Sequence, residues 1–163
     1  QGEHDFAFRL GAPGDSSRLY GRELSRSRLV CLASPTYLDR WGAPQQLKDL
    51  NDHRLMLLMP RNLSEQLRRF LRDEKVVLDQ QAHHICDDVE SVFQSVRSGM
   101  ALGLMLDLTV AKELENGEFI PLLENADLPV KSLYLLHQNL DLAPAKNRVF
   151  RDFIFQQWQS RHS

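Results

Sequence analysis

The sequence predicts an α/β fold with largely parallel sheets, and three observations carry that reading. Strand-length apolar runs at residues 28–33, 54–59 and 101–106 alternate with helical patterns at 35–41, 87–98 and 107–114. Glycine and proline punctuate the changes from one pattern to the next. The 163 residues are 42% hydrophobic and 26% charged, which suits one substantial core or two small lobes.

Each element follows from local chemistry. Residues 5–10 read as a strand and 11–17, rich in glycine, proline and serine, as a loop. The run at 28–33 ends at Ser34-Pro35, where a helix over 35–41 begins. Ser34 can accept a hydrogen bond from an orphan first-turn N–H, Pro35 suits the first helical position, and Gly42 suits a left-handed stop. Residues 45–50 read as a short helix, and 54–59 as a buried strand stopped by Pro60. Strands are expected at 69–72 and 76–85 around a turn at 73–75. A helix from Leu63 to Leu71 competes, because Leu63, Leu67, Phe70 and Leu71 also fit helical spacing.

From Asp87 the pattern is plainer. Val89, Val92, Phe93 and Val96 make one apolar helix face, opened by Asp87 and Glu90 at capping-box spacing and left at Gly99. Residues 101–106 suit a strand covered on both faces. Asp107 can cap a helix through Leu114 that Gly117 closes, and strands follow at 119–123 and 133–136. A last helix from about Pro144 is expected to bury Val149, Phe150, Phe153, Ile154 and Trp158. No internal repeat, low-complexity tract or long linker interrupts this order.

Composition excludes several functions. A net charge of −2 with scattered arginines argues against this chain being the nucleic-acid-binding part of a protein. No apolar run reaches the roughly 18 to 20 residues that span a bilayer, and no signal-peptide pattern opens the chain. Cys31 and Cys86 lie in apolar contexts without a CxxC pair, as reduced core residues do, which favours the cytoplasm. His83 and His84 stand near Cys86 and Asp87, but adjacent strand residues face opposite ways, so no metal site is expected. No P-loop, G-x-G-x-x-G or G-x-S-x-G motif and no triad spacing is present, so neither a cofactor nor an enzyme is expected. The strand at 5–10 starts almost at once with no initiator methionine, so the chain reads as a piece of a longer protein.

The wording of several segments, in order, resembles one family. Residues 30–44, VCLASPTYLDRWGAP, resemble the ASPxYLxxxGxP segment of the effector-binding domains of LysR-type transcriptional regulators. Residues 5–11 resemble the family's DlaIRlG strand, and 47–53 its DLxxH stretch. Residues 87–103 resemble NDxxAxxxaaxaGxGIa, 110–119 resemble vaxeLxxGxL, and 150–158 the closing FxdFlxxxl. Ala101 and Leu106 stand where the family usually has glycine and proline, and both still suit a buried strand.

The resemblance implies a two-lobed fold like the type 2 periplasmic binding proteins, with a partial first lobe (1–32 and 123–163) and a complete second lobe (33–122). The family's opening strand, helix and strand, and the winged helix-turn-helix before them, have no counterpart in these residues. It also implies a sensing role: a small-molecule effector in the interlobe cleft shifts the population of lobe arrangements and so controls transcription. An organic acid is one candidate effector. DNA would be bound only through the missing N-terminal part, by a homodimer or homotetramer whose contacts use the helix at 88–98. This piece is then expected to dimerise weakly or differently. The alternative is a solute-binding protein of a transport system, which would need a secretion signal and not the ASPxYL and DLxxH wording.

Candidate effector-binding residues follow from these expectations, each with a simpler role beside it. Arg9 and Leu10 end the first strand, where Arg9 either pairs with a carboxylate or makes a surface or hinge ion pair. Ser34 and Thr36 sit at a helix N-terminus that favours anions, or serve as a plain cap. Pro60 and Arg61 leave a strand end, lining the cleft or an ordinary loop. Asp87, Asp88 and Val89 open the long helix, where two acids favour a cationic or neutral effector, or act as caps.

Overall fold

The chain order is β1 (Phe6–Leu10), β2 (Tyr20–Ala33), α1 (Pro35–Trp41), a 3-10 helix (Leu47–Asp52), β3 (Leu55–Leu58), α2 (Ser64–Asp73) and β4 (His83–Cys86). It continues with α3 (Val89–Arg97), β5 (Leu102–Leu106), α4 (Asp107–Glu115), β6 (Ile120–Leu122), β7 (Val130–His137) and α5 (Ala145–Arg161). The computed structural model describes residues 6–11, 20–58, 64–78, 83–86, 88–137 and 145–161. Contacts divide the chain into two units, one of residues 1–27 with 131–163 and one of residues 28–130. The first division falls inside β2 and the second at the start of β7.

In the unit of residues 28–130, β3 lies between β4 and β5 and is parallel to both. The end of β2 pairs antiparallel with β5 on one edge and with β6 on the other. The α/β class is as expected, but the sheet is mixed. Crossover helices α2 and α3 make β3, β4 and β5 parallel, whereas β2 arrives running the other way. All five residues of β5 are buried, as its continuous apolar run requires. Val92, Phe93 and Val96 of α3 pack with Leu32, Met105, Val110 and Phe119. Phe93 and Phe119 meet edge to face, centroids 5.6 Å apart at 89°. The Arg97 guanidinium lies 5.9 Å from both rings and pairs with Glu118. A Cβ on Gly103 would fall 2.6 Å from Leu32 Cδ1 and 2.8 Å from Val96 Cγ2, so this close approach of α3 to the sheet requires glycine.

In the unit of residues 1–27 and 131–163, β7 pairs antiparallel with β1 from Phe6↔His137 to Leu10↔Leu133. Arg22 stacks over Phe155 of α5 at 3.9 Å, and Phe6 meets Phe150 at 5.0 Å.

Several expectations need correction. Residues 69–72 are helical, not a strand: α2 buries Leu67 and Leu71 one turn apart, so the competing helix is the one that forms. In the stretch 76–85, residues 76–78 are not strand, 83–85 belong to β4, and 79–82 lie outside the described residues. The side-chain cap of α3 is Asp88, which accepts from the Ser91 N–H, while Asp87 lies outside the described residues. Val89 is exposed, unlike the other three residues of its predicted face. Asp107 is the first residue of α4 rather than its cap, which is Leu106. The helix expected at 45–50 is the 3-10 helix, opened by the Asp49 carboxylate accepting from the Gln45 and Gln46 N–H groups. On α5, Val149, Phe150 and Phe153 are exposed, and Asn147 and Phe155 are buried instead. Cys31 is buried and Cys86 half-buried, both as free thiols. Burial pushes the Cys31 thiol up to about 12, so it stays protonated and inert.

Candidate functional site

The three parallel strands β4, β3 and β5 end along one edge of their sheet, at Cys86, Leu58 and Leu106. Two helices start there, α3 after Asp88 and α4 at Asp107. With β3 between them, the ends of β4 and β5 lie about 10 Å apart. In open α/β sheets ligands bind outside such carboxyl ends, where helix N-termini present N–H groups and positive dipole ends.

The polar groups at this edge are held in place. The Asp88 carboxylate accepts from the Ser91 N–H at 2.8 Å and from the Ser91 hydroxyl, and these bonds hold it below the ordinary carboxylate range. The Asp88 N–H donates to Cys86 Sγ at 3.4 Å. Asp107 Oδ1 accepts from the Leu108 N–H at 2.7 Å. Arg28, on β2, donates to the carbonyls of Ala126 at 2.6 Å and Glu124 at 3.2 Å, tying down the chain that returns from β6.

Ser34 and Thr36 lie at the other end of the same sheet. Because β2 runs antiparallel to β5, its last residues pair with the beginning of β5, Leu32 opposite Gly103. Ser34, 4% exposed, caps α1 by accepting from the Tyr37 N–H at 3.4 Å. Thr36 packs on the exit of α3, where a Cβ on Gly99 would come within 3.0 Å of Thr36 Cγ2. Gly99 has a φ of +70°, so both its conformation and its surroundings call for glycine. The length of α3, about 13 Å, therefore separates Thr36 from Asp88. Beside α1, the Tyr37 hydroxyl bonds to His53 Nδ1 at 2.8 Å. Burial pushes the Tyr37 hydroxyl up and the His53 imidazole down, favouring the uncharged form of each.

Of the predicted residues, the structure thus brings Asp88 and Val89 together at the carboxyl edge and keeps Ser34 and Thr36 apart from them. Arg9 and Leu10 belong to the other unit, on β1, with Arg9 exposed opposite Tyr134 and Leu10 half-buried opposite Leu133. Pro60, Arg61 and Asp87 lie outside the described residues. Cys86, Asp107 and Leu108 share the edge with Asp88 and are not among the effector-binding residues expected from the sequence. The available signal was an apolar run leading into an aspartate and then a helical pattern, which occurs twice. A broad cavity of about 750 Å³, lined by Lys48, Lys75, Leu123 and Glu124 among others, contains none of the predicted residues. Among the described residues, no three His, Cys, Asp or Glu side chains converge as metal ligands. No helix among them is long and apolar enough to cross a membrane.

Comparison with known proteins gives this edge a context. The family model described as the LysR substrate binding domain matches residues 1–159. The chain is 28% identical over 150 residues to the probable HTH-type transcriptional regulator SinR of Salmonella typhimurium, covering 90% of this chain and 48% of that protein. It is 28% identical over 165 residues to the HTH-type transcriptional regulator CrgA of Neisseria meningitidis serogroup C, covering 94% and 51%. The chain spans about half the length of these curated relatives. Among solved structures it matches the CrgA regulatory domain with a TM-score of 0.72 at 26% identity, covering 94% of this chain and 75% of that one. The effector domain of AmpR from Pseudomonas aeruginosa gives a TM-score of 0.72 at 15% identity, over 96% and 73%, a likeness of fold. The fold is therefore that of a LysR regulatory domain, α/β and periplasmic-binding-protein-like. With a family match over almost its whole length, the chain belongs to the LysR substrate-binding domain family.

Proposed function

We propose that this chain is the effector-sensing part of a DNA-binding transcriptional regulator, working in the cytoplasm as a homodimer or homotetramer. The observation that carries this reading is the carboxyl edge of β4, β3 and β5, where two helix N-termini meet in a chain whose relatives are transcriptional regulators. That kinship favours the regulator over a solute-binding protein of a transport system. A small organic molecule would bind at this edge, contacting Asp88, Val89 and Asp107. A ligand that binds one conformation of the domain better than another shifts the population, and no bond need be made or broken. DNA would be contacted by residues outside this chain.

Organic acids are the first effector class to test, because the helix N-termini suit a carboxylate. Amines and neutral compounds come next, because Asp88 and Asp107 suit hydrogen-bond donors. In a thermal-shift screen of the chain against organic acids, aromatic acids and amino acids, one class is expected to raise Tm in a saturable way. A ligand at a hundred times its Kd adds roughly 2.7 kcal/mol. Asp107→Asn should weaken that shift. If no class raises Tm, the sensing reading fails. Sequence-specific DNA binding by this chain alone would contradict the assigned division of labour.

A further inference from the structure

A groove lies beside the C-terminal end of α2, and it is built from residues that the carboxyl edge does not use. Helix α2 ends in a reciprocal pair of backbone bonds. The Val76 N–H donates to the Leu71 carbonyl at 2.8 Å, and the Lys75 N–H to the Arg72 carbonyl at 3.0 Å. Val76 and Leu71 are both buried, completing the apolar contact of this type of helix stop. The stop needs a left-handed residue, and Lys75 supplies it with a φ of +61° where glycine would cost least. Beyond it, Asn51 fixes the chain from both ends of its amide. Its Nδ2 donates to the carbonyls of Lys48 at 2.9 Å and Lys75 at 3.0 Å, and its Oδ1 accepts from the Val77 N–H at 2.8 Å.

This arrangement leaves a groove of about 290 Å³ lined by Arg68, Arg72, Lys75, Val76, Val77 and Leu78. Arg68 and Arg72 are four residues apart, so both project from one face of the helix. Val77 is 70% exposed, a large apolar side chain presented beside three cations. The ion pairs among the described residues are Arg26–Glu23, Arg97–Glu118 and Arg151–Asp152, none of which engages these cations. The acids at the end of the helix, Asp73 and Glu74, line the neighbouring broad cavity and not this groove, and Lys75 borders both.

We propose that this groove binds a small monoanion with an apolar body, such as an aryl- or alkyl-carboxylate. The carboxylate accepts from the paired guanidinium groups of Arg68 and Arg72 and from the Lys75 ammonium. The apolar body lies along Val77. The volume is close to the lower end for small-ligand sites, enough for a molecule of about a dozen heavy atoms. Because Asn51 and the helix stop already hold the backbone, little ordering is needed on binding. An acidic peptide would make the same charge contacts, but the short groove favours the small molecule.

The test uses the whole 163-residue chain, labelled with ¹⁵N, and two probes of the same carbon skeleton, 4-phenylbutyrate and the neutral 4-phenylbutanol. Phenylbutyrate is expected to move the amide resonances of Val76, Val77 and Leu78 in a saturable way, with the alcohol at least tenfold weaker. Arg68→Gln with Arg72→Gln should weaken the anion at least tenfold, and Val77→Ser should weaken both probes. Should the double variant lose its dispersed spectrum, Arg72→Gln alone decides. Equal response to both probes, no saturable shift at 76–78, or binding unchanged by the arginine replacements would overturn the proposal. Shifts confined to Cys86, Asp88 and Leu108 would likewise overturn it while supporting the effector site at the carboxyl edge.

Discussion

Helices α3 and α5 carry similar apolar residues and place them differently. On α3, Val92, Phe93 and Val96 form a single stripe, and all three are buried against β5, Phe119 and Leu32. On α5 the apolar residues fall on two stripes. One holds Asn147, Arg151, Ile154, Phe155 and Trp158, all buried or half-buried, and the other holds Val149, Phe150 and Phe153, which are exposed. A single stripe can only face the core. Two stripes compete for it, and β-strand partners such as Arg22 over Phe155 decide between them.

The largest expected effect contrasts two phenylalanines. Phe93→Ala should cost about 3–5 kcal/mol in urea unfolding. Phe153, 54% exposed, should cost under about 1 kcal/mol on the same replacement. Comparable losses would mean that the outer stripe of α5 is packed in solution, and the contrast would collapse.

Gly103→Ala probes how tightly α3 sits on the sheet. The new methyl meets Leu32 and Val96, both fully buried, and overpacking of this kind costs about 1–3 kcal/mol. A neutral result would mean that α3 can slide away from β5.

The smallest effect concerns the start of α3. Asp88→Ala removes its cap and should lower Tm by a few degrees at neutral pH. The Asp88 carboxyl is held below its ordinary value of 3.8 by Ser91. Its stabilising contribution is therefore full above pH 3.8 and disappears as the pH falls through the lower folded-state value. The Tm gap between wild type and variant should close on acidification into that window. A gap that persists in acid would assign the effect to something other than the ionised cap.

Some of this was legible in the residues. Ser34, Pro35 and Gly42 bound α1 as the sequence implies, with Ser34 capping and Gly42 at a φ of +73°. The apolar run at 101–106 and three of the four residues on the expected inward face of α3 are also buried as the sequence implies, whereas Val89 is exposed. Helix α2 did not, because Leu67, Phe70 and Leu71 satisfy two periods at once and its left-handed stop uses Lys75 rather than glycine. The first half of β2 has a polar, mostly exposed pattern that no hydrophobic period marks.

The candidate site divides the same way. Asp88 could be found locally, because an acid before a helical pattern is a cap and a helix N-terminus is a polar place. That Asp107 stands at the same edge, and that Ser34 and Thr36 stand at the opposite one, depends on strand direction. By itself the sequence determined the class of fold, the family and the caps of α1, since each rests on spacing along the chain. Tertiary structure alone decided which strand ends share an edge, because antiparallel β2 and parallel β3, β4 and β5 look alike in one dimension.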